Sequence, residues 1–400
     1  MAEARAAGQD DVASRAANIK RWALLTLTAS LLAACQVVPK GPPRSIEPPP
    51  QVIEGPSGNQ LPTDLARHRI ALLVPLTGAN AGVGESIANA ANLAVLDTGG
   101  QSIRITTYDT STGAAAAAQK AVADGNKLIL GPLLADDVRA VAPVGRAAKV
   151  PLISFSNDVS VAGNGTFLMG YIPTQSIDRV IRFARSKGSV NFAGLVPNGT
   201  YGQRASQALI KSVESSGGRL VGLQSFDRTP GAIAAAVAKL SATSAYDALL
   251  IADSGRIAVQ IVPLVRRQSG PNAKILGTDL WNTETSLSQS PSLRGAWFAS
   301  VSDGFFNQLS AKYRARFGKG PYRLSSLGYD GVLLVSKIAA NWKVGTAFPS
   351  AQLLDSGGFS GVDGAFRFNS SGIAERSLEV QEVGAAGSAV ISPAPRGFAK

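Results

Sequence analysis

From residue 68 onward the chain alternates two kinds of apolar pattern. Short aliphatic runs at 70–74, 103–108, 128–130 and 152–155 have the length and branched-residue content of strands buried inside a sheet. Between the first two, Ile87, Ala90, Ala91, Ala94 and Val95 recur at i, i+3, i+4, i+7 and i+8, the apolar stripe of a helix laid over a sheet. The alanine-rich stretch 114–123 predicts a second helix, with Gly125 as its C-terminal stop. A third follows Gly131-Pro132, and Asp136 and Asp137 fall in its first turns, where carboxylates suit the positive end of the helix dipole. A second series of strands at 192–196, 219–226, 248–251 and 274–277 brackets further helical stretches such as 203–215. Alternation at this spacing predicts two α/β lobes, each a doubly wound parallel sheet. Ligands of such sheets sit at the carboxyl ends of the strands. Here those ends carry Thr77, Asp109, Leu134, Ser154, Ser156, Asp253 and Asp279.

The first 66 residues follow another pattern. Lys20-Arg21 precede an apolar run from Trp22 to Ala34, too short for the roughly 20 residues of a membrane-spanning helix and right for the core of a signal peptide. The run ends in Leu-Ala-Ala-Cys at 32–35, which resembles the lipobox of bacterial lipoproteins and makes Cys35 the expected lipidation site. The next residue is Gln36 where the inner-membrane retention signal of such proteins has an aspartate, so delivery to the outer membrane is expected. From 37 to 64 the chain holds eight of its 22 prolines, an extended spacer with no core of its own. At about 3.1 Å per residue it reaches roughly 85 Å.

Composition narrows the chemistry. With 45% hydrophobic and 16% charged residues the chain is globular. Its formal charge is +12, and +11 after Cys35 once the four basic and three acidic residues ahead of it are removed. The surplus favours anionic neighbours, but no basic run with interleaved aromatics marks a nucleic-acid partner. One cysteine excludes an intrachain disulfide and a cysteine zinc site. One histidine, His68, stands at the edge of the first strand, so no Ser-His-Asp or Cys-His arrangement is expected. Gly78, Gly82 and Gly84 precede no Gly-Lys-Ser/Thr and serve the strand-to-helix turn rather than a phosphate. Asp109, Asp253, Asp279 and Asp330 leave paired-carboxylate glycoside chemistry open as a minor alternative. Neither a cofactor nor a metal is expected, and catalytic residues are not assigned.

The order of motifs carries a resemblance. Leu-Val-Pro-Leu-Thr-Gly at 73–78 with Gly84-Glu85, Leu-Ile-Leu-Gly-Pro-Leu-Leu at 128–134, Val-Pro-Leu-Ile-Ser at 150–154 and Tyr201-Gly202 come first. Ile-Leu-Gly-Thr-Asp at 275–279, Leu-Gly-Tyr-Asp-Gly at 327–331 and Gly-Phe-Ser-Gly-Val-Asp-Gly at 358–364 with Phe-Arg-Phe at 366–368 follow. From about 70 to 383 the chain resembles the type I periplasmic binding proteins of the leucine/isoleucine/valine-binding kind, and within them the penicillin-binding protein activators. The resemblance implies two lobes joined by three crossings, near 171–173, 297–302 and 358–364, the last adding a strand pair to the second lobe. It divides the chain into a signal peptide (1–34), the lipidated cysteine and tether (35–66), a first lobe (67–172 and 303–357), a second lobe (173–302 and 358–385) and a flexible tail (386–400).

In amino-acid-binding relatives, hydroxyl-bearing residues after the third strand hold the substrate carboxylate. Here that stretch is Leu-Leu-Ala-Asp at 133–136, leaving Ser154 and Ser156 as the hydroxyls on offer, with Asp253 or Asp279 to meet an ammonium group. Tyr171, Tyr201 and Tyr329 are candidates to stack on a ligand, with ordinary packing as the alternative. The resemblance thus implies a non-enzymatic regulator of a peptidoglycan synthase, its partner a class A penicillin-binding protein. The alternative is a solute-binding protein for an amino acid or small polar ligand.

Overall fold

The computed structural model describes residues 66–398 except 243, 269–271 and 283, so the signal segment, Cys35 and nearly all of the tether lie outside the described residues. The first lobe opens with β1 (His68–Val74), α1 (Ala81–Asp97), β2 (Ile103–Asp109), α2 (Ala114–Ala123), β3 (Leu128–Leu130), α3 (Ala135–Ala148), β4 (Leu152–Ser154) and β5 (Thr166–Leu168). Its five strands are parallel in the order β2-β1-β3-β4-β5. Alternation along β1 sends Ile70, Leu72 and Val74 to one core and Ala71 and Leu73 to another, so both faces are covered. Ala114, Ala118 and Ala121 bury the small-residue face of α2, and Gly125, at φ +84°, follows its last turn as expected. At Gly84 a Cβ would stand 1.7 Å from the Pro75 carbonyl oxygen. Only glycine lets α1 seat on the turn after β1.

The second lobe is built from α4 (Pro173–Ser186), β6 (Asn191–Pro197), α5 (Thr200–Ser215), β7 (Arg219–Phe226), α6 (Pro230–Ser241), β8 (Ala248–Ile251), α7 (Gly255–Gln268), β9 (Lys274–Gly277), α8 (Ser286–Gln289) and β10 (Trp297–Ser300). Helices α9 (Gly304–Phe317) and α10 (Ser325–Ala339) return to the first lobe, where Phe306, Leu309, Leu327 and Val332 join Ile70 and Leu72 in one core. Three short antiparallel strands, β11 (Phe359–Gly361), β12 (Gly364–Phe368) and β13 (Ala374–Arg376), form a separate sheet. The hairpin of β14 (Glu379–Gly384) and β15 (Gly387–Ser392) completes the second sheet, ordered β15-β14-β10-β9-β8-β6-β7. The chain passes between the lobes at 169–172, 301–303 and 377–378.

Two boundaries differ from the expected ones. Residues 359–376 belong with the first lobe, not the second, because Phe359, Phe366, Phe368 and Ala374 are buried in the first core and Leu168 bridges to Ile373. The third crossing therefore falls at 377–378 instead of 358–364. The expected tail also contains an ordered strand, β15, whose exposed small and aliphatic residues give little inward-facing signal. Among the described residues no helix is long and apolar enough to cross a membrane.

Candidate functional site

The three crossings enclose a cavity of 230 Å³. Tyr171 lines it from the first crossing, Gln175 and Ser176 from the first turn of α4, Asp279 from the end of β9, Arg323 from ahead of α10 and Leu378 from the third crossing. Of the sequence candidates, Tyr171 and Asp279 thus meet in one place. Asp279 accepts a hydrogen bond from the Ser176 hydroxyl at 2.6 Å. Burial holds its carboxyl above the usual range, opposed by that hydroxyl and by its own backbone N–H, with no cation contributing. Tyr201 stands nearby, its hydroxyl 3.5 Å from Thr278 Oγ1, and burial followed by the charge of Asp279 pushes its phenol upward.

Asp253 is close enough to Tyr201 to raise its pKa further, but its carboxylate is already paired with Arg228. Arg228 Nε donates to both its oxygens at 3.2 and 2.9 Å, and the Ser254 N–H adds a bond at 2.7 Å. It is therefore not an open partner for an ammonium group.

On the first lobe, the expected ligand groups are spent on the loops themselves. The Ser154 hydroxyl is fully buried, donates to the Pro132 carbonyl at 2.9 Å and accepts from the Ser156 N–H at 3.0 Å. Ser156 Oγ in turn accepts from the Asp158 N–H at 3.2 Å. Thr77 is exposed and its hydroxyl donates to Asp109 at 3.2 Å. Asp109 also takes the N–H groups of Leu76 and Ser111, which outweigh burial and keep its carboxyl below the usual range. Leu134 is an exposed apolar residue directly ahead of α3.

Tyr329 and Asp330 are away from the cleft. The Tyr329 hydroxyl donates to Asp97, at the far end of α1, at 2.6 Å. Asp330 is fully buried beneath the third sheet and accepts from the Val362 N–H at 2.6 Å. A helix turns these neighbours about 100° apart, so Leu-Gly-Tyr-Asp-Gly serves packing between α10 and its surroundings. The four carboxylates named for glycoside chemistry are accordingly not gathered on one substrate.

Two features were not foreseen from the sequence. Asp363 is fully buried and binds Tyr171 and Arg323, the latter through Nη1 at 2.7 Å, with Arg376 Nη1 at 3.8 Å. Burial opposes its ionisation, but the two guanidiniums outweigh it and hold its carboxyl down, while burial and the nearby Asp363 charge push Asp330 up. Arg323 also lies 4.1 Å from the Phe306 ring centroid, and Arg376 5.0 Å from that of Tyr171. The other unforeseen feature spans the cleft. Asp158, in the turn after β4, meets Arg204 of α5 at 2.7 Å and Arg139 of α3 at 3.2 Å. The only sequence signal was Arg204 lying one turn beyond the start of α5, beside Tyr201.

Two sandwiched lobes, three crossings and a cavity at the hinge define a type I periplasmic-binding-protein fold. The chain belongs to the periplasmic binding protein family, which it matches over residues 68–388. An uncharacterized protein of Rickettsia prowazekii, RP748, is 29% identical over 174 residues, 43% of this chain and 47% of that protein. The match thus spans about half the length of that curated relative. Among solved structures, the C-domain of LpoA from Haemophilus influenzae, a regulator of PBP1A, is similar at a TM-score of 0.65 and 19% identity, covering 81% of this chain and 99% of that one. The branched-chain amino acid transporter substrate-binding protein LivJ of Streptococcus pneumoniae, in complex with isoleucine, is similar at 0.58 and 20%, covering 82% and 100%. At these identities both show the fold alone.

Proposed function

We propose that the protein is a non-enzymatic envelope lipoprotein, lipidated on Cys35 and delivered to the outer membrane, whose two-lobed head regulates a peptidoglycan synthase of the class A penicillin-binding kind. The observation that carries this reading is the Asp158–Arg204 ion pair, which ties the two lobes together with groups of the chain's own. The hydroxyls of Ser154 and Ser156 are already engaged within their loop, so the first lobe offers little to a substrate carboxylate. A head that closes on itself suits a protein read by a partner's surface. The similarity to the LpoA C-domain is consistent with that role. Purified protein is expected to bind a class A penicillin-binding protein and to change its glycan-polymerising or cross-linking rate. Absence of both effects overturns the reading.

Asp279 favours a second reading. A half-buried carboxylate facing a cavity, with a hydroxyl as its side-chain partner, suits an ammonium group of a small solute. Under this reading the protein serves transport or sensing, and amino acids or simple amines raise its melting temperature with concentration.

A further inference from the structure

We propose that Arg139 and Arg204 form a carboxylate-binding site divided between the lobes, and that the chain's own Asp158 fills it as an internal ligand that closes the head. Each arginine takes one oxygen: Arg204 Nη2 lies 2.7 Å from Oδ1 and Arg139 Nη2 lies 3.2 Å from Oδ2. The carboxylate is presented rigidly, because Oδ1 also accepts from the Ser160 N–H at 3.0 Å and its hydroxyl at 2.7 Å, and the Asp158 N–H is held by Ser156. The Asp158 side chain is 14% exposed, whereas those of Arg139 and Arg204 are 52% and 33% exposed. A partly buried anion thus sits between two more open cations, one anchored in each lobe. Arg139 is additionally paired with Asp136, one turn away on the same helix of the first lobe, at 2.6 Å. Arg204 moves with α5, so holding Asp158 and drawing the second lobe in are a single event. Charge-assisted bonds of this kind are the strong class of hydrogen bond.

An internal ligand differs from a structural ion pair in that a free one can replace it. Asp158→Ala removes the carboxylate and leaves space for formate between the same guanidiniums. The full chain is compared by amide hydrogen exchange at 278–282, which lines the hinge cavity and does not include the clasp residues. Asp158→Ala is expected to exchange severalfold faster there. Sodium formate is expected to restore the slow rate saturably, and sodium chloride at equal ionic strength to fail. Arg204→Gln is expected to exchange faster as well and to gain nothing from formate. Unchanged exchange in Asp158→Ala, equal rescue by chloride, or rescue of Arg204→Gln by formate each overturns the proposal. It is read on the protein alone, so its failure is distinct from failure of the synthase reading.

Discussion

The Tyr171 hydroxyl donates to the Asp363 carboxylate, 192 residues further along the chain. Arg323 and Arg376 converge on the same carboxylate, and Arg323 also pairs with Asp303 of the second crossing at 3.3 Å, so all three crossings are tied, directly or through Arg323, to one sealed anion. Asp363→Ala leaves two guanidiniums without their counter-charge, and a loss of about 3–5 kcal/mol is expected. Tyr171→Phe keeps the ring and forfeits the hydroxyl's bonds to Asp363, Arg323 and Ser326, and a loss of at least about 1.5–3 kcal/mol, the worth of one bond to a charged group, is expected. Urea unfolding followed by circular dichroism checks both. A loss under about 1 kcal/mol for Asp363→Ala would mean that the pair behaves as a solvent-exposed bridge.

His68 is buried and stacked on Trp342, their ring centroids 3.7 Å apart. Burial lowers its pKa below 6.5, opposed in part by a backbone hydrogen bond at Trp342. The fold therefore binds fewer protons than the unfolded chain, and stability contributed by the neutral ring is lost as pH falls from 6.5 through the folded value. Melting temperature is expected to drop between pH 7 and pH 5.5 more steeply in the wild type than in His68→Gln. Equal slopes would show that the ring is protonated without cost.

At Asp279 the sign is reversed. Its raised pKa means that the ionised form burdens the fold, and protonation relieves it as pH falls through the folded value. Asp279→Asn is expected to melt higher than the wild type at pH 7, with the gap closing towards pH 4. The same variant is expected to lose any thermal shift given by amines. A lower melting point at pH 7 would indicate that the Ser176 bond outweighs the burial of charge.

Much of the fold was legible because each strand run carries its own signal: at β1, five consecutive apolar residues are all fully buried. The cleft was harder to read, since identical residue types do opposite jobs. Ser154 stands where a ligand hydroxyl belongs, yet its bonds are satisfied by Pro132 and Ser156. Asp253 and Asp279 follow equivalent strand ends, and only the position of Arg228, distant in sequence, distinguishes the paired carboxylate from the unpaired one. The lobe that residues 359–376 join is not legible in the sequence, because three-residue strands show too few positions to reveal which core their aromatics enter.

The spacer offers the test that separates regulation from solute capture. An outer-membrane anchor gives a solute-binding protein little access to a permease across the cell wall, whereas a regulator seeking a synthase needs reach. Deleting 42–58 removes 17 residues, or about 53 Å of extended length at about 3.1 Å per residue. The described head, from residue 66, does not include this segment, so the purified variant is expected to affect a synthase as the wild type does. In cells the deletion is expected to abolish the function, because a linker too short to span its sites brings effective concentration to near zero. Peptidoglycan cross-linking in cells, set beside the synthase rate in solution, measures the two terms. A flexible Gly/Ser replacement of equal length spans a root-mean-square distance of only about 23 Å, so partial recovery is expected from it. Normal cross-linking with the full deletion would mean that the head finds its partner without crossing the wall, and the tether argument for regulation would fall.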